Sequence, residues 1–201
     1  RRLLVLTHNN PDPDSLGSGM GLRYFASIAG QVESKFALSG RILRAENQEM
    51  VTRLGIDLTP LDQIRPEEFD CVALVDTQPG FGHTIVPAGI KVDIVIDHHM
   101  GENGANAGQE PFRDVRLDVG ATSSLVATYF REANFLPSRE VATALAYGIK
   151  TDTADLSRNV SEVDLRAYDF LFPHVDREKL VQITRPQLPA AYFQTLKDAL
   201  R

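Results

Sequence analysis

Three short, unbroken apolar runs punctuate the chain, at 2–7, 71–75 and 92–96. Runs of this length, ended by polar residues, are expected of strands buried on both faces of a parallel sheet. Between and after them, apolar residues recur at helical spacing over 15–29, 44–54, 123–133, 139–149, 162–172 and 190–200. The order, β-α-β-α-β and then mostly helix, predicts an α/β domain of three layers with an open, mostly parallel sheet flanked by helices. Ligands of such sheets bind beyond the carboxyl ends of the strands. His8, Asp76 and Asp97 fall just past the ends of the three predicted strands.

Composition adds bounds rather than identity. With 201 residues and 43% apolar content the chain can bury one substantial core. One domain over 1–185 is expected, followed by a helical tail over 186–201. The single cysteine, Cys71, opens an apolar strand and reads as a small buried hydrophobe, and a lone thiol excludes an internal disulfide framework. No apolar stretch approaches the roughly 20 residues that span a bilayer and no signal peptide is visible, so no membrane is expected and a cytoplasmic location fits. A net charge of −6 disfavours non-specific duplex binding, which relies on many Lys and Arg contacts to phosphate. The chain begins at Arg1 without a methionine and reads as trimmed. The glycine- and asparagine-rich run 101–108 reads as a mobile loop, suited to a lid.

The chemistry sits in five segments rich in Asp, His and hydroxyl groups. They are His8-Asn9-Asn10-Pro11-Asp12-Pro13-Asp14, Asp76-Thr77, Asp97-His98-His99, Gly120-Ala121-Thr122-Ser123 and Thr151-Asp152-Thr153. Five carboxylates and three imidazoles gathered at one sheet edge would repel and desolvate each other unless divalent cations lay between them. Pro13 is expected to hold Asp12 extended, so that Asp12 and Asp14 point with His8 and the helix starts at Ser15. A dinucleotide-binding turn fails on spacing, since the glycine due three residues after Gly19 is Leu22. Alternation in an extended segment should send His98 and His99 to opposite sides, one to metal and one to substrate, with Asp97 orienting an imidazole. His83 and His174 lack carboxylate neighbours and read as surface or loop residues. Arg41, Arg44, Arg113 and Arg116 are candidates for phosphate contacts, weighed against ordinary solvated charges. Carboxylate and imidazole donors without cysteine suit Mn²⁺ and argue against a structural Zn²⁺ centre.

Taken in order, His8 to Asp14, Val75-Asp76-Thr77, Asp97-His98-His99 and Gly148 to Thr153 resemble the motifs of the DHH phosphoesterase superfamily, and the resemblance runs along essentially the whole chain. It implies one metal site from His8, Asp12 and Asp76, and a second from Asp14, Asp76, His98 and Asp152, with Asp76 bridging. It implies two divalent ions, Mn²⁺ or alternatively Mg²⁺ or Co²⁺, with His99 contacting phosphate or protonating the leaving oxygen and Asp97 orienting His98. Two ions about 3.5–4 Å apart would activate a water and clamp the phosphoryl oxygens. The sequence departs from the family pattern at Pro13 and Ser15, where Gly and Ala are common. It departs again at Leu156-Ser157-Arg158, where many relatives carry a Phe-Arg pair, so phosphate contact by Arg158 is not expected. The glycine-rich, histidine-containing motif of the family's second, substrate-binding domain does not occur before Arg201. The chain is therefore expected to be the catalytic part of a longer protein, with a homodimer as a further option.

Three functions follow. The leading one is a metal-dependent phosphodiesterase, exonuclease-like, acting on a small nucleotide or short single-stranded oligonucleotide. The others are a pyrophosphatase-like phosphoanhydride hydrolase and a nucleotide-binding regulatory module without catalysis.

Overall fold

In the computed structural model, which describes residues 1–84, 86–87, 89–101, 110–186 and 190–200, six strands form a single sheet. They are β1 (Arg2–Leu6), β2 (Glu33–Leu38), β3 (Leu58–Pro60), β4 (Cys71–Val75), β5 (Ile94–Asp97) and β6 (Phe112–Val115). Their order is β3-β2-β1-β4-β5-β6, and every neighbouring pair is parallel. The helices are α1 (Pro13–Gly30), α2 (Ala45–Leu54), α3 (Thr122–Glu132), α4 (Arg139–Asp152), α5 (Glu162–Leu171), α6 (Arg177–Thr184) and α7 (Ala190–Ala199). Of the expected lid over 101–108, only Gly101 lies within the described residues.

Strand periodicity sorts the core. Leu3 and Val5, with Ala73, Val75 and Ile96, face the helices, where they meet Leu16, Leu125 and Phe130. Leu4, Leu6, Val72, Leu74 and Val95 turn to the other face, covered by Ile64 and half-buried Leu61, Phe69 and Ile90 in short turns and loops. The helices therefore stack on one face of the sheet. α1 and α3 lie against the strands, while α4, buried throughout 141–149, packs between them and α2, α5 and α6. The α/β fold expected from the sequence, an open parallel sheet packed against helices, is present. No helix among the described residues is long and apolar enough to cross a membrane.

Two boundaries differ from the sequence expectation and both matter for the site. α1 starts at Pro13, because the fixed φ of proline suits the first helical position and Asp12 caps it, its Oδ1 accepting from the N–H of Asp14 and Ser15 at 3.0 Å each. Asp14 is consequently a helical residue rather than part of an extended loop. Asp97 is the last residue of β5 rather than the first beyond it.

Glycines set how closely α1 and α4 approach. A Cβ at Gly17 would lie 2.6 Å from the Ala144 carbonyl oxygen, and one at Gly148 would lie 3.0 Å from Asp14 Cα. The glycines that failed the dinucleotide pattern thus serve helix packing, and Gly148 brings the end of α4, with Asp152, against Asp14. Gly17→Ala should lower unfolding free energy by about 1–3 kcal/mol, since the clash is with backbone and outweighs the helix propensity gained. Urea unfolding beside Gly82→Ala, where nothing lies within 4 Å, checks this; equal midpoints would contradict it.

Candidate metal centre

The site lies where β1 and β4, neighbours in the sheet, send their chains apart, β1 toward β2 on one side and β4 toward β5 on the other. His8 follows β1, Asp76 follows β4, and Asp97, His98 and His99 end β5. The first turn of α1 adds Asp12 and Asp14, and the last turn of α4 adds Asp152. Side chains from positions 8 to 152 thereby meet at one edge of the sheet.

Three groups of ligand atoms lie close enough to hold a cation: His8, Asp12 and Asp76; Asp14, His98 and Asp152; and Asp76, His98 and His99. The first has the members the resemblance implies for one site; the second has three of the four implied for the other, without Asp76, which groups instead with His98 and His99. Around His98 Nε2 stand Asp152 Oδ2 at 3.0 Å, Asp76 Oδ1 at 3.6 Å and Asp14 Oδ2 at 3.8 Å. That nitrogen is buried without a hydrogen-bond partner, its approach to Asp152 being close but poorly aligned. Its other nitrogen, Nδ1, faces the Val119 carbonyl at 3.1 Å, which fixes a proton there and leaves Nε2 as the donor atom. An orphaned imidazole nitrogen ringed by three carboxylates fits a divalent ion. On the other side, His8 Nε2 and Asp76 Oδ2 are 3.7 Å apart, with the Ser15 hydroxyl 2.6 Å from each and donating to Asp76.

Two expectations about the histidine pair change. Asp97 orients His99, not His98: its Oδ1 takes His99 Nδ1 at 2.9 Å, whereas His98 offers it only the backbone N–H at 2.8 Å. The two rings do not diverge either; their centroids are 4.2 Å apart, because the chain leaves the extended form beyond Asp97.

Gln78 and Asp164 escaped the motif reading, whereas Thr122 and Ser123 belong to a segment it named. Gln78, only 2% exposed, donates to Asp97 Oδ2 and to the His99 carbonyl at 2.8 Å each, and accepts from Arg113. Thr122 Oγ1 donates to Asp76 Oδ1 at 3.0 Å, while the N–H groups of Thr122 and Ser123 donate to the two oxygens of Asp14 at 2.7 Å. Asp164, buried in the capping box of α5, accepts the Gly120 N–H at 2.9 Å and so anchors this segment from behind. The Ser161-x-x-Asp164 spacing was its one signal in sequence. His83, read as a surface or loop residue, is exposed in a turn and stands edge-on to His8 at 5.4 Å, and His174 packs on Phe170. Arg116 is tied to Asp114 at 2.7 Å and Arg113 to Gln78, so both are occupied structurally. Arg158 lines a cavity of about 630 Å³ together with His98, His99 and Asp152.

Electrostatics follow from burial. Desolvation, with the charge of Asp12, pushes Asp76 up to about 7 against the pull of His98 and Ser15. Burial and the charge of Asp76 raise Asp14 well above the carboxylate range. For His98 burial works against the charge, but Asp152, Asp14 and Asp76 outweigh it and bring the imidazole to about 10. Asp76 also holds φ 57, a left-handed conformation uncommon outside glycine and often found at functional sites.

Both printed shifts act in one direction on the metal-free fold. A carboxyl raised to about 7 stabilises the fold below its unfolded value and loses that contribution as pH rises through about 7. An imidazole raised to about 10 stabilises it below about 6.5 and loses that contribution as pH rises through about 10. In EDTA the melting temperature should therefore fall between about pH 5 and 9, and the gain on adding Mn²⁺ should grow over the same range because ligation displaces those protons. Calorimetric scans across that range check it; a metal-induced shift independent of pH would contradict the assignment of protons.

The family model described as DHH family, N-terminal domain, matches residues 2–149. An uncharacterised protein of Methanocaldococcus jannaschii is 37% identical over 199 residues, covering 98% of this chain and 40% of that protein. A second from the same organism is 29% identical over 163 residues, 77% of this chain and 46% of that one. A Lactobacillus delbrueckii subsp. bulgaricus protein named "Probable manganese-dependent inorganic pyrophosphatase" is 26% identical over 169 residues, 84% of this chain and 53% of its own length. The chain thus spans 40% to 53% of the length of these relatives. A crystal structure of an exopolyphosphatase-related protein from Bacteroides fragilis shares the fold, with a TM-score of 0.79 at 16% identity over 99% of this chain and 60% of that one. The chain belongs to the DHH family, and residues 2–149 are its match to that family's N-terminal domain.

Proposed function

We propose that the chain is a metal-dependent phosphoesterase that hydrolyses phosphodiester bonds of small nucleotides or short oligonucleotides. The observation that carries this reading is the sharing of Asp76 between two ligand groups. It groups with His8 and Asp12 on one side and with His98 and His99 on the other, and His98 in turn groups with Asp14 and Asp152. Two divalent ions held there, Mn²⁺ by the donor set, would supply a water nucleophile at neutral pH and offset phosphoryl charge.

The remaining roles fall to the protein's own groups. Asp97 holds His99 through Nδ1, and that hydrogen bond, with the charge of Asp76, raises the imidazole above its ordinary value. His99 is half exposed and so meets solvent and substrate, positioned to give a proton to a departing oxygen. Arg158, in the cavity beside Asp152 and with no ion pair among the described residues, serves as a counter-charge for phosphate. A second reading, hydrolysis of pyrophosphate, is favoured by the name of one relative.

Hydrolysis of bis-p-nitrophenyl phosphate and of an RNA dinucleotide, with Mn²⁺ or EDTA, tests the first reading, and phosphate release from pyrophosphate tests the second. Mn²⁺-dependent turnover is expected on the diesters, falling at least about a hundredfold in Asp76→Asn, which keeps the side chain's shape but loses its charge. Near-native turnover by Asp76→Asn would overturn the shared role of Asp76, and turnover on pyrophosphate alone would favour the second reading.

A further inference from the structure

Asp76 has a histidine on either side, and the two rings are held in opposite ways. The His98 ring is held from behind: Nδ1 donates to the Val119 carbonyl at 3.1 Å, while Nε2 is buried with no hydrogen-bond partner. A backbone acceptor on the far nitrogen fixes the ring and leaves the near one for a cation. The His8 ring is held from the front. Its Nε2, 3.7 Å from Asp76 Oδ2, lies 2.6 Å from the Ser15 hydroxyl, and no hydrogen bond reaches Nδ1 among the described residues. Beyond that contact the ring meets His83, edge-on.

Ser15 makes the difference. Third in α1 and 0% exposed, it gives its N–H to Asp12 Oδ1 at 3.0 Å and places its hydroxyl 2.6 Å from both His8 Nε2 and Asp76 Oδ2. One residue therefore engages all three members of the group His8, Asp12 and Asp76. The hydroxyl joins the same two atoms that a cation at this position would have to join. A carboxylate oxygen can accept twice, but Nε2 has a single site in the plane of the ring, so at His8 the hydroxyl and a cation exclude each other. A hydroxyl buried this fully finds no solvent to replace the contact it would lose. The group Asp14, His98 and Asp152 contains no such bridge. Thr122 donates to Asp76 Oδ1 at 3.0 Å on that side but makes no hydrogen bond to His98 among the described residues, and each Asp14 oxygen accepts one N–H and keeps a further lone pair.

We infer that the Ser15 hydroxyl competes with the ion held by His8, Asp12 and Asp76, so that this position binds its ion more weakly and fills after the one formed by Asp14, His98 and Asp152. Ser15 thereby sets the metal concentration at which both ions are present. The inference rests on the two-ion reading above and adds the order of loading; it does not depend on the substrate.

The test is calorimetric titration of the EDTA-stripped, desalted full chain with Mn²⁺, for the natural sequence, Ser15→Ala and Asp152→Asn. The natural chain should bind in two steps at least about tenfold apart, and Asp152→Asn, which alters the His98 group alone, should weaken the tighter step. Ser15→Ala should tighten the weaker step about fivefold or more and leave the tighter one unchanged. Damage to the fold would weaken binding rather than tighten it, and the melting temperature verifies that the variant folds. Two steps of equal affinity, or a weaker step that Ser15→Ala leaves unchanged or weakens further, would overturn the inference. A single ion at saturation in both the natural chain and Ser15→Ala would overturn the two-ion reading with it. Diester turnover is read separately. Its absence beside two unequal steps that respond as expected removes the hydrolase reading and leaves the order of loading standing.

Discussion

Taking the carboxylates of Asp14 and Asp76 out of water carries a large electrostatic cost, and the surroundings offset it group by group. Both oxygens of Asp14 receive backbone N–H groups from the start of α3, a helix whose N-cap, Ala121, offers no side chain of its own. One arrangement therefore satisfies two needs, since the carboxylate caps the helix and the helix end holds the carboxylate. Asp76 takes hydroxyl protons from Ser15 and Thr122. The carboxylates of Asp152, Asp14 and Asp76 favour the charged form of the His98 imidazole in the metal-free chain, and a cation there would offset the same negative charge.

The same constraint explains why residues so far apart in sequence are bound together. The segment 119–123 touches three of the candidate ligands: Val119 fixes His98, Thr122 and Ser123 hold Asp14, and Thr122 reaches Asp76. Asp164 locks Gly120 and Ser124 at 2.9 and 2.5 Å, passing the rigidity of α5 to that segment. On the opposite side Gln78 performs a similar service for Asp97 and hence for His99. The left-handed backbone at Asp76 is tolerated within this frame, where the hydroxyls of Ser15 and Thr122 hold its carboxylate.

What the sequence disclosed follows from the range of each signal. Continuous apolar runs marked β1, β4 and β5 because those strands are central and buried on both faces. The outer strands were not legible: β2 begins Glu33-Ser34-Lys35, β3 has three residues, and β6 reads Phe112-Arg113-Asp114-Val115 with its first half exposed. α6 was missed as well, since Ile183 is its one buried residue. Charged residues after apolar strands revealed His8, Asp76, His98 and His99, because few structural reasons put such groups there. Gln78, Asp164 and Ser15 act through contacts 19, 44 and 61 positions away along the chain, and no local pattern carries that information.

The proposed function requires two cations close together across Asp76. Electron paramagnetic resonance of the chain titrated with Mn²⁺, alongside metal analysis, addresses that most directly. The account predicts two Mn²⁺ per chain with a spin-coupled spectrum, as ions about 3.5–4 Å apart would give. A single uncoupled ion at saturation, or none retained, would contradict it.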